Sequence, residues 1–264
     1  MMLDGLAPAR RRLVLAIMGA LLVVALAVAG VAIFRSQSAA DRVSQETLGP
    51  VILVAGYGGN TDVLQPLADT LRDDGRVVEI FPPVGNNTGD LAEQAVALGT
   101  FIDRLRRDIS APSVDVIGYS AGGVVARLWA RDLGEDGVAR RVVTLASPHH
   151  GTGVSSLATE AGGCPRACEQ LRPDSDLLRR LNAGDETPDG PEWVTFRTED
   201  DETVTPSTSA DLEGALNLTV QQYCPSATMS HGQLPTSALV LGAMPQMLGD
   251  STPAAPASGE VDCS

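Results

Sequence analysis

A mostly apolar segment that runs into a glycine-flanked serine dictates much of the fold of this 264-residue chain. Residues 114–117 lead into Gly118-Tyr119-Ser120-Ala121-Gly122, and residues 124–133 then show helical spacing of apolar side chains. A serine flanked two positions away by glycines, at a sharp strand-to-helix turn, is typical of a nucleophile elbow, because Gly118 and Gly122 let strand and helix approach closely. The pattern predicts that Ser120 is a nucleophile; the alternative is a strand-turn-helix without chemistry.

Short apolar segments alternate with segments of helical periodicity along most of the chain. Strands are predicted at residues 50–56, 77–81, 114–117, 141–145, 193–198 and 215–221, and helices at residues 62–73, 90–108, 124–133 and 237–247. This alternation predicts an α/β fold with a mainly parallel central sheet and helices on both faces. Functional residues of such sheets lie beyond the carboxyl ends of the strands, where Ser120 falls. Residues 148–191 are predicted to form an irregular rim there.

The charge of the chain restricts its partners. The whole chain has a net charge of −14, but residues 1–40 carry four arginines and one aspartate, which leaves −17 for residues 41–264. So acidic a domain lacks the basic patch that meets phosphates, which argues against nucleic acid and anionic membrane surfaces as partners of the folded part. We expect a monomer, with a membrane contact only through the amino-terminal segment.

Residues 13–34 form a stretch of 22 residues without a charge, directly after three arginines. Such a stretch is long enough to cross a bilayer with the amino terminus in the cytoplasm. It predicts an extracytoplasmic domain, held by a retained signal anchor or released by cleavage near Ala40; the length of the stretch favours the anchor. We therefore divide the chain into residues 1–40 as a cytoplasmic stub and signal segment, 41–249 as the folded domain and 250–264 as a flexible tail.

The cysteines indicate disulfides. Cys164, Cys168, Cys224 and Cys263 all follow the elbow, and an even number in an exported chain indicates two disulfides with three possible pairings. The Cys164-x3-Cys168 spacing has no nearby histidine and no second cysteine pair of zinc-site spacing, so we do not interpret the cysteines as metal ligands.

A serine nucleophile needs an imidazole to take its proton and a carboxylate to orient that imidazole. The chain order in folds with this elbow is serine, acid, histidine, and only His231 leaves room for an acid after a later strand. His149 and His150 are interpreted as rim or structural residues, since a histidine pair there lacks a third metal ligand. The acid is expected among four residues that follow the strand at 193–198. These are Glu199, Asp200, Asp201 and Glu202.

Ester hydrolysis by a serine passes through an oxyanion that needs two N–H donors. One donor is expected from Ala121, directly after the nucleophile, and the other from Tyr57 in the loop Gly56-Tyr57-Gly58-Gly59 after the first strand. A glycine-rich loop can also cradle a phosphate, but this one lacks the lysine of a P-loop and the spacing of a dinucleotide-binding loop.

Together these segments resemble the α/β-hydrolase superfamily, and within it the compact secreted bacterial lipases and esterases, over roughly residues 50–248. The matching segments are residues 51–59, the elbow at 118–123, Ser147-Pro148-His149-His150-Gly151-Thr152, residues 201–206 and His231-Gly232. In that family the acid stands three residues before a valine that re-enters the fold, which selects Asp201, followed by Val204, over Asp200. The resemblance implies a secreted esterase without a cofactor.

Two departures from the family pattern bear on the site. Many such lipases have a histidine before the first oxyanion glycine, where this chain has Ala55. The loop that carries Tyr57 is therefore expected to be held differently. The connection after Pro148 is too short for a large cap domain, which favours an open site with little interfacial activation.

The sequence as a whole predicts a serine carboxylester hydrolase that acts on lipids or small acyl esters through an acyl-enzyme on Ser120. His231 is the expected general base and Asp201 its orienting carboxylate. The alternatives are an acyltransferase or amidase with the same three residues, and a non-catalytic exported binding module on the same fold.

Overall fold

The computed structural model describes residues 43–133, 137–257 and 263, together with Ile17 and Val23. Within these residues, no helix combines the length and the apolar character that crossing a bilayer requires. Apart from Ile17 and Val23, the predicted signal segment at 13–34 lies outside the described residues. Residues 258–262 and 264 of the predicted tail also lie outside them, so both assignments stay predictions.

In the described part of the chain, six parallel strands form one sheet in the order β2-β1-β3-β4-β5-β6. The strands are β1 Val51–Val54, β2 Val78–Ile80, β3 Val114–Tyr119, β4 Ala139–Leu145, β5 Glu192–Arg197 and β6 Leu216–Thr219. Every residue of β1 and β4 is buried, as expected of central strands covered on both faces. The predicted parallel sheet is thus confirmed, and its order reverses beside β1, which opens a crevice at the carboxyl ends.

Helices cover both faces of the sheet. They are α1 Gln65–Asp73, α2 Leu91–Ile109, α3 Ala121–Leu128, α4 Gly153–Glu160, α5 Arg166–Gln170, α6 Asp176–Leu181, α7 Val220–Tyr223 and α8 Ala238–Met247. Alternate side chains of the strands point to opposite faces, so Ile52 packs with α2 and α3 whereas Leu53 packs with α1 and α8. Each face thereby has its own apolar core.

The structure differs from the sequence prediction in two segments. Residues 148–191, predicted to be irregular, contain α4, α5 and α6, each too short to show a helical repeat of apolar residues. Thr152 and Ser175 cap α4 and α6 by accepting hydrogen bonds from the N–H groups of Val154 and Leu178. The strand predicted at 215–221 ends at Thr219, after which the chain turns into α7.

A buried ionic cluster closes the amino-terminal end of the sheet. The Asp115 carboxylate, which is fully buried in β3, accepts hydrogen bonds from Arg76 at 2.6 Å and from Arg140 at 2.5 Å. Arg140 also donates to the backbone carbonyls of Leu248 and Gly249, after α8. The cluster therefore connects the central strand to the segment that follows the last helix.

Two disulfides are present, as predicted, and they join Cys164 to Cys168 and Cys224 to Cys263. The first bridge connects the loop after α4 to α5, and the second connects the end of α7 to the carboxyl-terminal tail. Disulfides of this kind are typical of proteins that fold outside the cytoplasm.

His149 lies just beyond β4 and is completely buried. Its Nε2 is 3.0 Å from Thr144 Oγ1, whereas Nδ1 has no hydrogen-bond partner among the described residues. Burial holds the pKa of His149 well below its ordinary value of 6.5, and the charge of Arg127 and the neighbouring His150 lower this pKa further. His149 is thus neutral in the fold, which agrees with a structural role.

We expect this histidine to make stability depend on pH. The unfolded chain binds a proton at His149 near pH 6.5, and the folded chain binds it only at a lower pH. The free energy of unfolding should therefore fall as the pH drops below about 6.5, by up to about 1.4 kcal/mol per pH unit for one proton. Urea unfolding between pH 5 and 7.5 measures this slope, and His149→Gln should reduce it. Equal slopes in both proteins would contradict the assignment.

Candidate active site

Ser120 occupies a strained turn between β3 and α3. Its backbone has φ 53° and ψ −127°, a region that non-glycine residues rarely adopt, and its N–H donates to the Leu145 carbonyl at 2.8 Å. A Cβ at Gly118 would lie 2.4 Å from the Cα of Gly123, and a Cβ at Gly122 would lie 2.3 Å from the Val54 carbonyl oxygen. Glycine is required at both positions because the strands and α3 touch through their backbones.

His231 and Asp201 lie next to this serine. His231 Nε2 is 3.0 Å from Ser120 Oγ, and His231 Nδ1 is 2.8 Å from Asp201 Oδ2. The other carboxylate oxygen of Asp201 accepts hydrogen bonds from the N–H groups of Thr203 and Val204. Since a carboxylate next to Nδ1 favours a proton there, Nε2 is left to accept the serine proton. The structure thus brings together the three residues named from the sequence.

The two acids that flank Asp201 hold the loop that carries His231. Asp200 accepts hydrogen bonds from the Met229 N–H and from the Gln221 side chain, both at 3.1 Å. Glu202 accepts a hydrogen bond from the N–H of His231 itself at 3.1 Å. Three consecutive carboxylates therefore contact the histidine loop at three different points, and only Asp201 reaches the imidazole.

Tyr119, the residue before the nucleophile, supports the imidazole from the side. Its ring centroid lies 5.2 Å from that of His231, and its hydroxyl donates to the His231 carbonyl at 3.3 Å. Burial, with smaller contributions from the charges of Asp201 and Glu202, raises the pKa of Tyr119 to about 12, so the hydroxyl stays a donor. This contact could not be predicted from the sequence, since the elbow motif leaves the residue before the serine unspecified.

The two residues predicted to supply oxyanion donors, Tyr57 and Ala121, lie close to the serine in the fold. Ala121 is the first residue of α3, where the N–H has no carbonyl one turn earlier to bind. Gly56, before Tyr57, faces the nucleophile so closely that a Cβ there would lie 2.9 Å from the Ser120 Cβ. The loop turns with φ 85° at Gly58 and 68° at Gly59, which glycine adopts without strain. Both peptide units are therefore beside Ser120.

A cleft of about 240 Å³ opens in front of Ser120. Much of its wall is apolar and comes from α4, the segment after it and the loop after β5. The lining residues are Tyr57, Ser120, Pro148, Thr152, Val154, Ser155, Ala158, Gly163, Cys168, Leu171, Thr203 and Val204. A cleft of this character suits a hydrocarbon chain attached to a reacting carbonyl.

The other two histidines do not join this constellation. His150 Nε2 lies 2.7 Å from Glu186 Oε1, outside the cleft, and His149 is buried against Thr144. Across the described ranges, no group of three or more His, Cys, Asp or Glu side chains is arranged to hold a metal ion.

Comparison with solved structures identifies the fold. Lipase B of Aspergillus fumigatus superposes with a TM-score of 0.69 at 18% identity, over 80% of this chain and 56% of that one. The mature lipase BlEst2 of Bacillus licheniformis gives 0.63 at 15% identity, over 76% and 92% of the two chains. A Listeria innocua gene product gives 0.56 at 15% identity, over 76% and 94%. This chain thus spans little more than half the length of the Aspergillus enzyme.

These likenesses, together with the six-stranded sheet, confirm the predicted α/β-hydrolase fold. No curated protein matches the sequence significantly. The sequence profile described as Lipase (class 2), however, matches residues 92–240, which include the elbow, the acid loop and His231. Since this match covers more than half of the chain, the protein belongs to the class 2 lipase family of hydrolases.

Proposed function

We propose that this lipase-family protein is a serine carboxylester hydrolase that works through an acyl-enzyme on Ser120. The observation that carries the proposal is the chain of two hydrogen bonds from Ser120 through His231 to Asp201, at the mouth of a largely apolar cleft. The geometry matches the requirements for activating a serine: a base within hydrogen-bond reach and a carboxylate that orients the base.

In the proposed reaction, Ser120 Oγ attacks the ester carbonyl while His231 Nε2 takes the hydroxyl proton. The N–H groups of Ala121 and Tyr57 stabilise the negative charge on the former carbonyl oxygen. His231 then protonates the departing alcohol, and the acyl group remains on Ser120. A water molecule, deprotonated by His231, attacks the acyl-enzyme, after which the serine regains its proton and the carboxylic acid leaves.

The surroundings of the cleft favour water as the acyl acceptor. Ser120 is half-buried and lines this cleft together with Tyr57, which is 44% exposed, so the serine is not sealed from solvent. A closed site protects a reactive intermediate from hydrolysis, and this open arrangement therefore favours water as the acceptor. We also propose that residues 13–34 export the domain, which would place the cleft outside the cytoplasm.

A fluorophosphonate probe tests the activated serine directly. We expect the full chain to form one adduct, located at Ser120 by peptide mass spectrometry. His231→Ala should slow labelling by about 100-fold or more, because the serine loses its general base. A folded protein that forms no adduct, or forms it on another serine, would contradict the proposal and support the non-catalytic binding module.

A further inference from the structure

Asn87 holds the loop that carries the proposed oxyanion donor Tyr57. It lies between β2 and α2, 32 residues after Ala55 along the chain, and is only 5% exposed. Its side-chain amide donates to the Ala55 carbonyl at 3.0 Å and to the Gly56 carbonyl at 2.8 Å. One buried amide thus uses both of its donors on the carbonyls of two consecutive residues, the second of which directly precedes Tyr57.

The planarity of the peptide bond transmits this contact to Tyr57. The carbonyl of Gly56 and the N–H of Tyr57 belong to one rigid trans unit and point in opposite directions. The Gly56 carbonyl also accepts a hydrogen bond from the Gly59 N–H at 3.1 Å. Because that oxygen accepts from both Asn87 and Gly59, the peptide cannot rotate without breaking two hydrogen bonds. The orientation of the Tyr57 N–H follows from them.

The segment around Asn87 is itself well supported. Gln94, a buried residue of α2, makes reciprocal hydrogen bonds with the N–H and the carbonyl of Val84. The Thr88 carbonyl accepts a hydrogen bond from the Ala167 N–H at the start of α5. Asn87 has φ 56°, a left-handed conformation that asparagine tolerates better than most residues. These contacts hold Asn87 where its amide can donate hydrogen bonds to the loop that carries Tyr57.

We propose that Asn87 is a positioning residue that fixes the Tyr57 N–H for the oxyanion, in a chain that has Ala55 where many lipases of this type have a histidine. The inference rests on the proposed function. The side chain of Asn87 is hydrogen-bonded to the backbone before Tyr57 and is not among the residues that line the cleft, so it acts on catalysis through the Gly56–Tyr57 peptide.

Two substitutions separate the amide from the backbone conformation. Asn87→Asp keeps the shape but replaces the amide nitrogen, and with it both donors, by a carboxylate oxygen that repels the two carbonyls. Asn87→Gly removes the amide and keeps the left-handed backbone free of strain. Asn86→Asp, at the exposed neighbouring position, is the matched control with the same change of charge.

The readouts are kcat and KM for p-nitrophenyl butyrate and the inhibition constant of an alkyl trifluoromethyl ketone, which forms an oxyanion on the serine. Because a misplaced donor acts mainly in the transition state, we expect kcat to fall about 10- to 100-fold in both Asn87 variants, with KM nearly unchanged. The inhibition constant should rise by the same factor as kcat/KM falls. Asn86→Asp should match the wild-type protein in all three quantities.

Each kcat is calculated per molecule that a fluorophosphonate labels at Ser120 after complete reaction. Unfolded protein is thereby left out of the comparison, and a lower kcat reports a loss of catalysis. The inference is overturned if both Asn87 variants keep kcat, or if kcat falls while ketone binding is unchanged. A wild-type protein without a labelled Ser120 would instead overturn the proposed hydrolase function.

Discussion

Replacing Asp201 by asparagine should lower kcat about 10⁴-fold, the size of effect seen when a serine hydrolase loses the orienting carboxylate. Asp201 Oδ2 lies 2.8 Å from His231 Nδ1, and the side chain is almost wholly buried. An asparagine amide can donate to Nδ1, which would move the imidazole proton to Nε2 and leave no acceptor for the serine proton. Steady-state kinetics on p-nitrophenyl butyrate measures the loss.

Asp200→Asn is the matched control for this prediction. The Asp200 carboxylate accepts from the Met229 N–H and the Gln221 amide, and the side-chain oxygen of an asparagine can still accept from either group. We therefore expect a loss of less than about tenfold, since surface changes away from the reacting groups cost little. Glu202→Gln should be similarly mild. If Asp200→Asn proved the more damaging of the two aspartate variants, the assignment of the acid would be wrong.

Replacing Asp115 by asparagine should destabilise the fold by about 3–5 kcal/mol, because removing one partner of a buried ion pair leaves an uncompensated charge. Arg140 is fully buried, and Arg76 is 7% exposed at its side chain. Urea unfolding followed by circular dichroism measures the loss. The kcat per folded molecule should remain unchanged, since Asp115 lies at the end of β3 opposite Ser120.

Two further variants test whether the loss of stability comes from an unpaired buried charge or from substitution in general. Asp69→Asn breaks an exposed pair with Arg72, and we expect it to cost less than about 1 kcal/mol. Asp115→Leu combined with Arg140→Met removes both charges of the closer pair, and it should be less destabilising than Asp115→Asn alone. A double variant as unstable as the single one would show that packing, and not charge, limits stability here.

Much of the fold could be predicted because buried parallel strands have a strong local signature. Residues 51–54 and 142–145 are continuous apolar or β-branched runs, and the elbow motif fixes where the strand at 114–117 ends and the next helix begins. The helices α4, α5 and α6 escaped prediction because each spans fewer than three turns. The sequence predicts too long a strand β6 because Val220 continues the β-branched pattern after the backbone has turned into α7.

Of the candidate site, Ser120, Asp201 and His231 could be named from motif spacing and chain order. The contacts of Asn87 and Tyr119 could not, because each depends on which distant backbone carbonyl the folded chain brings within 3.3 Å. The pairing of the four cysteines was open for a similar reason, since the approach of Cys263 to Cys224 is set by how the tail returns to α7. Local sequence does not encode such long-range contacts.

Strand β3 has six residues, and its length separates a group that stabilises the fold from the proposed nucleophile. The ionic cluster at Asp115 and the nucleophile at Ser120 lie roughly 16 Å apart at the usual rise of a strand. For an engineer, this spacing means that heat resistance and acyl-chain selectivity can be evolved in independent libraries. Substitutions around Arg76 and Arg140 would be ranked by melting temperature, and those around Val154 and Leu171 by substrate preference. The free-energy effects of substitutions selected from the two libraries should add when the substitutions are combined.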